Sequence, residues 1–461
     1  MTTYGIVATL LLAQAGQATQ SAPQAPLIAA APNLTLEDAL REAQAKNLDL
    51  RVARARLDQS KELHWKAWSA YLPQISATGT YTHNELGDVN VPFPVFSDTG
   101  VFQRNASILM QKQEQVNGQL QASQAIIAPQ AWFAIAAARA GERLGEDSTE
   151  SARRDILFGV AQAYYGAVGL RQVVTIQERQ LAIALDHEKD AKVRFDAGTT
   201  PKVTLLRAEI DRSRAEQDLK RAQNSHLSAK VALAALLDRK DAEFDVVVPA
   251  SPRLPSVGPE VLEEAAARDR PDVKAAAEQV TVSSRNRAGV VTRYLPTLGA
   301  FGRYQYSNAA GFSGDTTTWA VGLALNWTIL DGFLRESDLR ESAGKVREAE
   351  AARASTIVKA RADVRQARLD LDSAVANREK AKEQLALAQE NQRLVNVNYK
   401  AGAATYLEVT DANTALLQAE LTQVSESLSA DLAALRVLKA AGAFDPTQSG
   451  GLSAAVPQPT R

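Results

Sequence analysis

The chain has 461 residues, of which 45% are hydrophobic and 23% charged, with a formal net charge of −1. A balance this close to neutral carries no electrostatic footprint for nucleic acid. With no Cys anywhere, disulfides, thiolate metal sites, thiol nucleophiles and an acylated N-terminal Cys are all excluded.

Residues 1–18 read MTTYGIVATLLLAQAGQA, with an apolar run from Ile6 to Ala13 and small-residue cleavage positions at Ala13-Gln14-Ala15 and Ala15 to Ala18. That is the plan of a signal peptide, although the basic start is missing. Residues 19–33 are rich in Gln, Ala, Pro and Ser and are expected to form a disordered linker. No apolar run approaches 18 residues, so no segment has the length of a spanning helix. If this chain crosses a bilayer, the remaining solution is a barrel.

A first repeat is expected over residues 34–238. Thr35 is an N-cap candidate before Leu36-Glu37-Asp38-Ala39-Leu40, opening one helix that continues to about Trp68. Tyr71-Leu72-Pro73 breaks it. Ile75, Ala77, Gly79 and Tyr81 then alternate with Ser76, Thr78, Thr80 and Thr82, the period of a half-buried strand. Residues 87–107 read as a loop or an extended hairpin. Alternation resumes from Val116 to Ile127, with Asn117, Gln119, Gln121 and Ser123 on a polar face. No Pro occurs from Gln130 to Asp196, a run long enough for roughly 100 Å of helix at about 1.5 Å per residue. Ala197-Gly198-Thr199-Thr200-Pro201 turns the chain into a shorter returning helix, Lys202 to about Asp238. Residues 239–258 form a Pro-rich connecting segment with a small strand candidate at Val246-Val247-Val248.

Residues 259–442 repeat the plan. Arg270-Pro271-Asp272-Val273 answers Asn47-Leu48-Asp49-Leu50, and Tyr294-Leu295-Pro296 answers Tyr71-Leu72-Pro73, both at an offset of 223. Ala401-Gly402 answers Ala197-Gly198 at 204, so the first copy carries an insertion in its strand-strand loop. From Trp319 the odd positions Trp319, Val321, Leu323, Leu325, Trp327 and Ile329 are large and apolar, and the even ones are small or polar. The two Trp stand roughly 26 Å apart along such a strand, close to the height of about 25 Å of a lipid-facing apolar band. A sandwich strand over a soluble core has the same pattern.

The helix that follows separates the two. Between Phe333 and Asn398 the only Gly is Gly344 and there is no Pro, which gives roughly 99 Å of rod. Ile357, Ala360, Val364, Ala367, Leu371, Ala374, Ala381, Leu385, Ala388 and Val395 keep three-and-four spacing, a coiled-coil seam with small knobs. Ala362, Leu369 and Ala376 lie on the opposite face, so this helix needs a neighbour on each flank, as in the wall of a cylinder. Each copy supplies two strands, and one chain therefore four, too few for a closed barrel. Three chains supply twelve, which makes a cyclic trimer the simplest closure. The fold class expected is thus an α+β membrane protein: a trimeric 12-stranded β-barrel continuous with a long antiparallel coiled-coil tunnel. The tail, residues 443–461, has loop composition and is expected to be disordered.

Residues Tyr71-Leu72-Pro73, Trp327-Thr328-Ile329-Leu330-Asp331-Gly332 and above all Asn398-Tyr399-Lys400-Ala401-Gly402 running into Leu407-Glu408-Val409-Thr410-Asp411-Ala412 resemble the outer membrane efflux protein family of TolC. The resemblance spans residues 34–442 and includes the duplication. It implies a homotrimeric channel-tunnel in the outer membrane of a Gram-negative-type envelope, extending through the periplasm. Its tips would dock a periplasmic adaptor protein and an inner-membrane pump or type I secretion transporter. By position, it makes Tyr399, Glu408 and Asp411 the pore gate, with two stacked carboxylate rings that favour cations. An ordinary acidic helix start beside a turn gives the same residues. The tips Gly198, Thr199, Gly402 and Ala403 become adaptor contacts, where a plain helix-ending turn also calls for Gly. Trp319, Trp327 and Tyr81 form the membrane aromatic belt. Ala404 and Thr204 stand where the family has an Arg and an Asp that bridge the tips, which implies a looser closed state or one held by Tyr399 alone.

No cofactor, metal or catalytic set is indicated. His64, His83, His187 and His226 are scattered, with His187 and His226 expected in solvent and Tyr164-Tyr165 in helix packing. A rival from another class is a non-conducting coiled-coil scaffold or periplasmic adaptor. It accounts for the rods but not for four strands with an apolar face.

Overall fold

The computed structural model describes residues 32–252, 258–309 and 315–444. The expected signal peptide, nearly all of the linker and the tail from residue 445 lie outside the described residues.

The elements run in two similar series. The first is β1 (Asn33–Leu34), α1 (Leu36–Lys46), α2 (Leu48–Trp68), β2 (Gln74–His83), β3 (Val89–Phe96), β4 (Phe102–Gln111), β5 (Glu114–Ile127), α3 (Pro129–Asp196) and α4 (Lys202–Leu236). The second is β6 (Asp245–Val246), α5 (Pro259–Asp269), α6 (Pro271–Val291), β7 (Thr297–Ser307), β8 (Thr317–Asn326), α7 (Leu334–Lys400) and α8 (Tyr406–Ala440). The long rods, α3 with 68 residues and α7 with 67, match the lengths expected from the Pro-free runs. The single helix expected up to Trp68 is instead two. Asn47 adopts an extended ψ of 130°, and its side-chain oxygen accepts from the Leu50 N–H, capping α2. Its amide also donates to the Leu236 carbonyl at 2.8 Å, so the break is held by tertiary contact. In the second series Pro271 makes the same break by covalent geometry.

Four strands form one antiparallel sheet in the order β2-β5-β7-β8. The segment read as loop or hairpin is a hairpin, β3 paired with β4. Register places Thr78, Gln119 and Gln305 in one row and Ser76, Gln121 and Arg303 in the next, a continuous polar face. The opposite face carries Trp319, Val321, Leu323 and Leu325, each 67–73% exposed. A stripe of large apolar side chains left bare by its own chain is a surface made for lipid. The alternation expected through Ile329 leaves the ladder after Asn326, and Trp327 then turns its indole N–H to the Tyr294 carbonyl.

The helices form a wall four across. Beside the barrel-proximal part of the rods the order is α2-α3-α6-α7, and beside the distal part it is α4-α3-α8-α7. The seam on α7 is as expected, with Ala360, Val364, Ala367, Leu371 and Ala381 buried, while Leu369 on the opposite flank is exposed. Between the two halves lies the main core, where α1, the middle of α3 and the ends of α4 and α8 meet around Leu157, Phe158, Tyr164 and Tyr165. Ala443 and Phe444, expected in the tail, pack into this core, Phe444 edge-to-face with Phe158 at 5.9 Å. Asn33, expected in the linker, pairs with Asp245 in the small β1–β6 ladder. The Tyr164 hydroxyl stitches that ladder to α3, lying 2.7 Å from the carbonyls of both Leu34 and Val247 and accepting from the Val247 N–H at 3.1 Å.

Tyr164→Phe removes that hydroxyl and leaves a buried donor and two carbonyls to find other partners. The expected cost is about 1–3 kcal/mol, read as a lower midpoint of denaturant unfolding of the detergent-solubilised protein with an unchanged far-UV spectrum.

Candidate functional site

The end of the helical wall farthest from the sheet is built from two helix-ending turns of the same design. After α3, Gly198 takes φ +73°, the Thr199 N–H donates to the Arg194 carbonyl and the Gly198 N–H to the Phe195 carbonyl. After α7, Gly402 takes φ +77°, with the Ala403 N–H donating to Asn398 and the Gly402 N–H to Tyr399. Both are Schellman turns, in which glycine carries the left-handed residue without steric cost. Gly198, Thr199, Gly402 and Ala403 are all exposed at the tips.

The two return helices start differently. Pro201 opens α4 with no side-chain cap, whereas Thr405 and Glu408 form a full capping box on α8. The Thr405 N–H donates to Glu408 Oε2 at 2.6 Å, and the Glu408 N–H donates to Thr405 Oγ1 at 3.3 Å. The Thr405 N–H, followed by the Thr405 hydroxyl, which donates to the same Glu408 Oε2 at 2.9 Å, holds the Glu408 carboxyl below the usual carboxylate range. Glu408 is thus a cap as well as an exposed anion, and Asp411, one turn on, is exposed.

Tyr399 is half-buried between the hairpins. The Arg194 guanidinium of α3 lies 4.9 Å from its ring centre, a cation–π contact from the other hairpin. Its other neighbour is Tyr406, whose ring centre is 6.4 Å away. The Tyr406 hydroxyl donates to Asp211 Oδ2 of α4 at 3.2 Å, and burial, followed by the Asp211 charge, pushes this phenol up to about 12. Tyr399 is therefore not alone in joining the hairpins. Ala404 and Thr204 make no bridge, and Arg194, Tyr406 and Asp211 connect the hairpins instead.

His187 and His226, expected in solvent, are not. His226 is buried with Nδ1 3.2 Å from the Ala167 carbonyl. His187 on α3 is half-buried, its ring 6.2 Å from Tyr406 and its Nε2 3.3 Å from Asn413 Nδ2. Sequence reasoning missed Arg194, His187, Asp211 and Tyr406, because each makes its contact across a helix pair and none stands in a motif. The one visible signal is the aromatic Tyr406 directly after the Thr405 cap.

At the other end of the molecule, Tyr81 and Trp319 lie on the apolar face of the sheet towards the loops, and Trp327 lies at the helix end. Among the described residues no group of His, Asp and Glu is arranged to hold a metal, and no helix is long and apolar enough to cross a membrane.

A small antiparallel sheet with a bare apolar face, set on a wall of two long and four shorter helices, is a combination with known relatives. The family model for outer membrane efflux proteins matches residues 39–239 and 261–443. This chain belongs to the outer membrane efflux protein family. It is 26% identical over 427 residues to the outer membrane efflux protein BepC of Brucella suis biovar 1, covering 91% of this chain and 88% of that protein. It is 22% identical over 432 residues to nodulation protein T of Rhizobium leguminosarum bv. trifolii, covering 88% and 85%. Among solved structures, CusC superposes with a TM-score of 0.73 at 17% identity, covering 88% of this chain and 92% of that one. The outer membrane protein VceC of Vibrio cholerae gives 0.71 at 20%, covering 88% and 96%. This efflux protein therefore has the barrel-plus-tunnel fold and acts as an outer-membrane channel of an efflux system.

Thr405→Ala removes the hydroxyl that accepts from the Glu408 N–H and leaves the backbone N–H of residue 405 donating to the Glu408 carboxylate. The expected loss is about 1 kcal/mol at the start of α8, seen as roughly fivefold faster amide hydrogen exchange over residues 406–409 and no change in the α3–α4 turn.

Proposed function

We propose that three copies of this efflux protein close a 12-stranded barrel and a tunnel, and that the tunnel passes its cargo from a periplasmic adaptor and an inner-membrane pump or secretion transporter to the outside. The observation that supports this most directly is the sheet itself. It has a lipid-compatible face and a polar face, yet β2 and β8 are paired on one side only among the described residues. Unpaired backbone N–H and C=O groups cost several kcal/mol each in hydrocarbon, so the edges require a partner. A rotation that sets β8 of one copy against β2 of the next satisfies both edges at once and closes after three copies. The same rotation sets the exposed α7 flank, with Leu369, against the α2 and α4 side of its neighbour.

In this reading Trp319, Trp327 and Tyr81 form the aromatic belts at the two membrane interfaces. Gly198, Thr199, Gly402 and Ala403 are the points the adaptor meets. Tyr399, Glu408 and Asp411 form the gate: the two carboxylates become two rings of three at the narrow end, attracting cations and repelling anions. Glu408 keeps its charge to lower pH than an ordinary carboxyl because the α8 cap stabilises the ionised form.

Purified protein in a planar bilayer is expected to give a small, cation-selective single-channel conductance. Glu408→Ala together with Asp411→Ala is expected to raise that conductance several-fold and abolish the selectivity. Folded trimers that conduct in neither form would overturn the channel and leave a scaffold. Cysteines placed at Ile75 on β2 and Leu323 on β8 should cross-link into a ladder ending at three chains, and a ladder ending at two would overturn the closure.

A further inference from the structure

Just above the tips one chain of side-chain contacts ties all four helices of the wall together. Gln392 on α7 donates its amide to Asn413 Oδ1 on α8 at 3.2 Å. Asn413 Nδ2 then faces His187 Nε2 on α3 at 3.3 Å. The His187 ring packs edge-on against Tyr406, and Tyr406 donates to Asp211 on α4 at 3.2 Å. These contacts border a cavity of about 200 Å³ lined also by Gln177, Arg214 and Thr410.

The donor and acceptor roles in this chain are linked. Because Asn413 Oδ1 accepts from Gln392, the Asn413 NH2 is the group turned to His187, and an NH2 can only donate. His187 Nε2 must therefore offer a lone pair, which makes the ring neutral and puts its proton on Nδ1. Protonating Nε2 sets N–H against N–H. Relieving that clash takes a joint turn of the Asn413 and Gln392 amides, and the half-buried ring would still have to carry its charge with little hydration.

We propose that His187 is a gate-positioning residue: the Gln392–Asn413–His187 relay and its neighbour Tyr406 hold the two hairpins closed while His187 is neutral, and protonation of His187 releases them. The inference rests on the channel reading above and adds to the gate three residues that lie outside the tip motif.

The charges around His187 come from every packed element. Asp186 and Asp190 on α3 and Asp211 on α4 favour the imidazolium, and Lys400 on α7 opposes it. Arg214 and Asp218 on α4 line the same cavity. Loss of hydration is the largest influence and moves the group down from its ordinary value near 6.5. The sign follows. In the closed state the proton binds less readily than in the opened, hydrated state, so closure is fully supported above about pH 6.5 and weakens as pH falls below it. At pH 5.5 the closed-to-open ratio can fall by up to about tenfold for each protomer. Glu408, whose carboxyl the α8 cap holds below its ordinary value, keeps its charge through this window.

The test is single-channel recording of the purified full-length protein at pH 7.5 and 5.5, with the wild type, His187→Gln and Asn413→Asp. Wild type is expected to open more at pH 5.5. His187→Gln, which cannot take a proton, is expected to have the same open probability at both values. Asn413→Asp replaces a donor by an acceptor that pairs with the imidazolium, so its pH response is expected to be inverted, with closure favoured at pH 5.5. A purely structural role for the residue predicts no inversion. A wild type that conducts equally at both values, or a His187→Gln channel that keeps the wild-type response, would overturn the relay while leaving the channel standing. Absence of any conductance would remove the channel reading itself.

Discussion

An unpaired strand edge cannot stand in hydrocarbon, and most of this molecule can be understood from that constraint. The sheet β2-β5-β7-β8 satisfies its inner ladders within one chain and presents half-paired strands at both sides. A soluble protein could leave such edges to water and protect them with charge. Here the outward residues from Trp319 to Leu325 are bare and apolar, so water is not the medium and only another strand can complete the ladder. In the proposed assembly, symmetry is then a consequence of backbone hydrogen bonding and not an addition to the fold.

The same requirement extends into the helical wall. Each rod continues directly from a strand, α3 from β5 and α7 from β8, so the rotation that closes the barrel also sets the spacing of the rods. Small knobs such as Ala360, Ala367 and Ala381 let the helices approach closely enough to form a wall instead of a bundle with a filled centre. Near the middle the wall is stiffened by a true core, where Tyr164, Phe158 and Phe444 bring the chain's beginning and end onto α3. The ends of the molecule are lighter. At the tips the hairpins are joined by ring, cation–π and polar contacts over a few small buried residues such as Ala191, Ala208 and Ala412, and a segment with small buried apolar contacts is where motion costs least.

That contrast gives the tip chemistry its meaning. Glu408 is drawn into the α8 cap, so the carboxylate that could line an aperture is also the residue that fixes where the helix starts. Arg194 on Tyr399 and Asp211 on Tyr406 join the hairpins near Ala404 and Thr204, which make no bridge of their own. The contacts between the hairpins also include an imidazole, that of His187 against Tyr406.

The sequence by itself determined every feature set by local periodicity or local backbone chemistry. Strand alternation, the Pro-free rods and the Gly198 and Gly402 turns depend on neighbours a few residues apart, and the duplication is a likeness of one stretch of sequence to another, so both kinds of relation are printed in the order of residues. The tertiary structure decided what depends on partners far along the chain. The break at Asn47 has no Pro to announce it and is held by a carbonyl 189 positions away. Phe444 reads as tail by composition and is core because Phe158 lies opposite it. His187 reads as a solvated residue in a charged helix and is half-buried because α4 and α8 close over it. Burial and hydrogen-bond role are properties of a meeting between segments, and no single segment carries them.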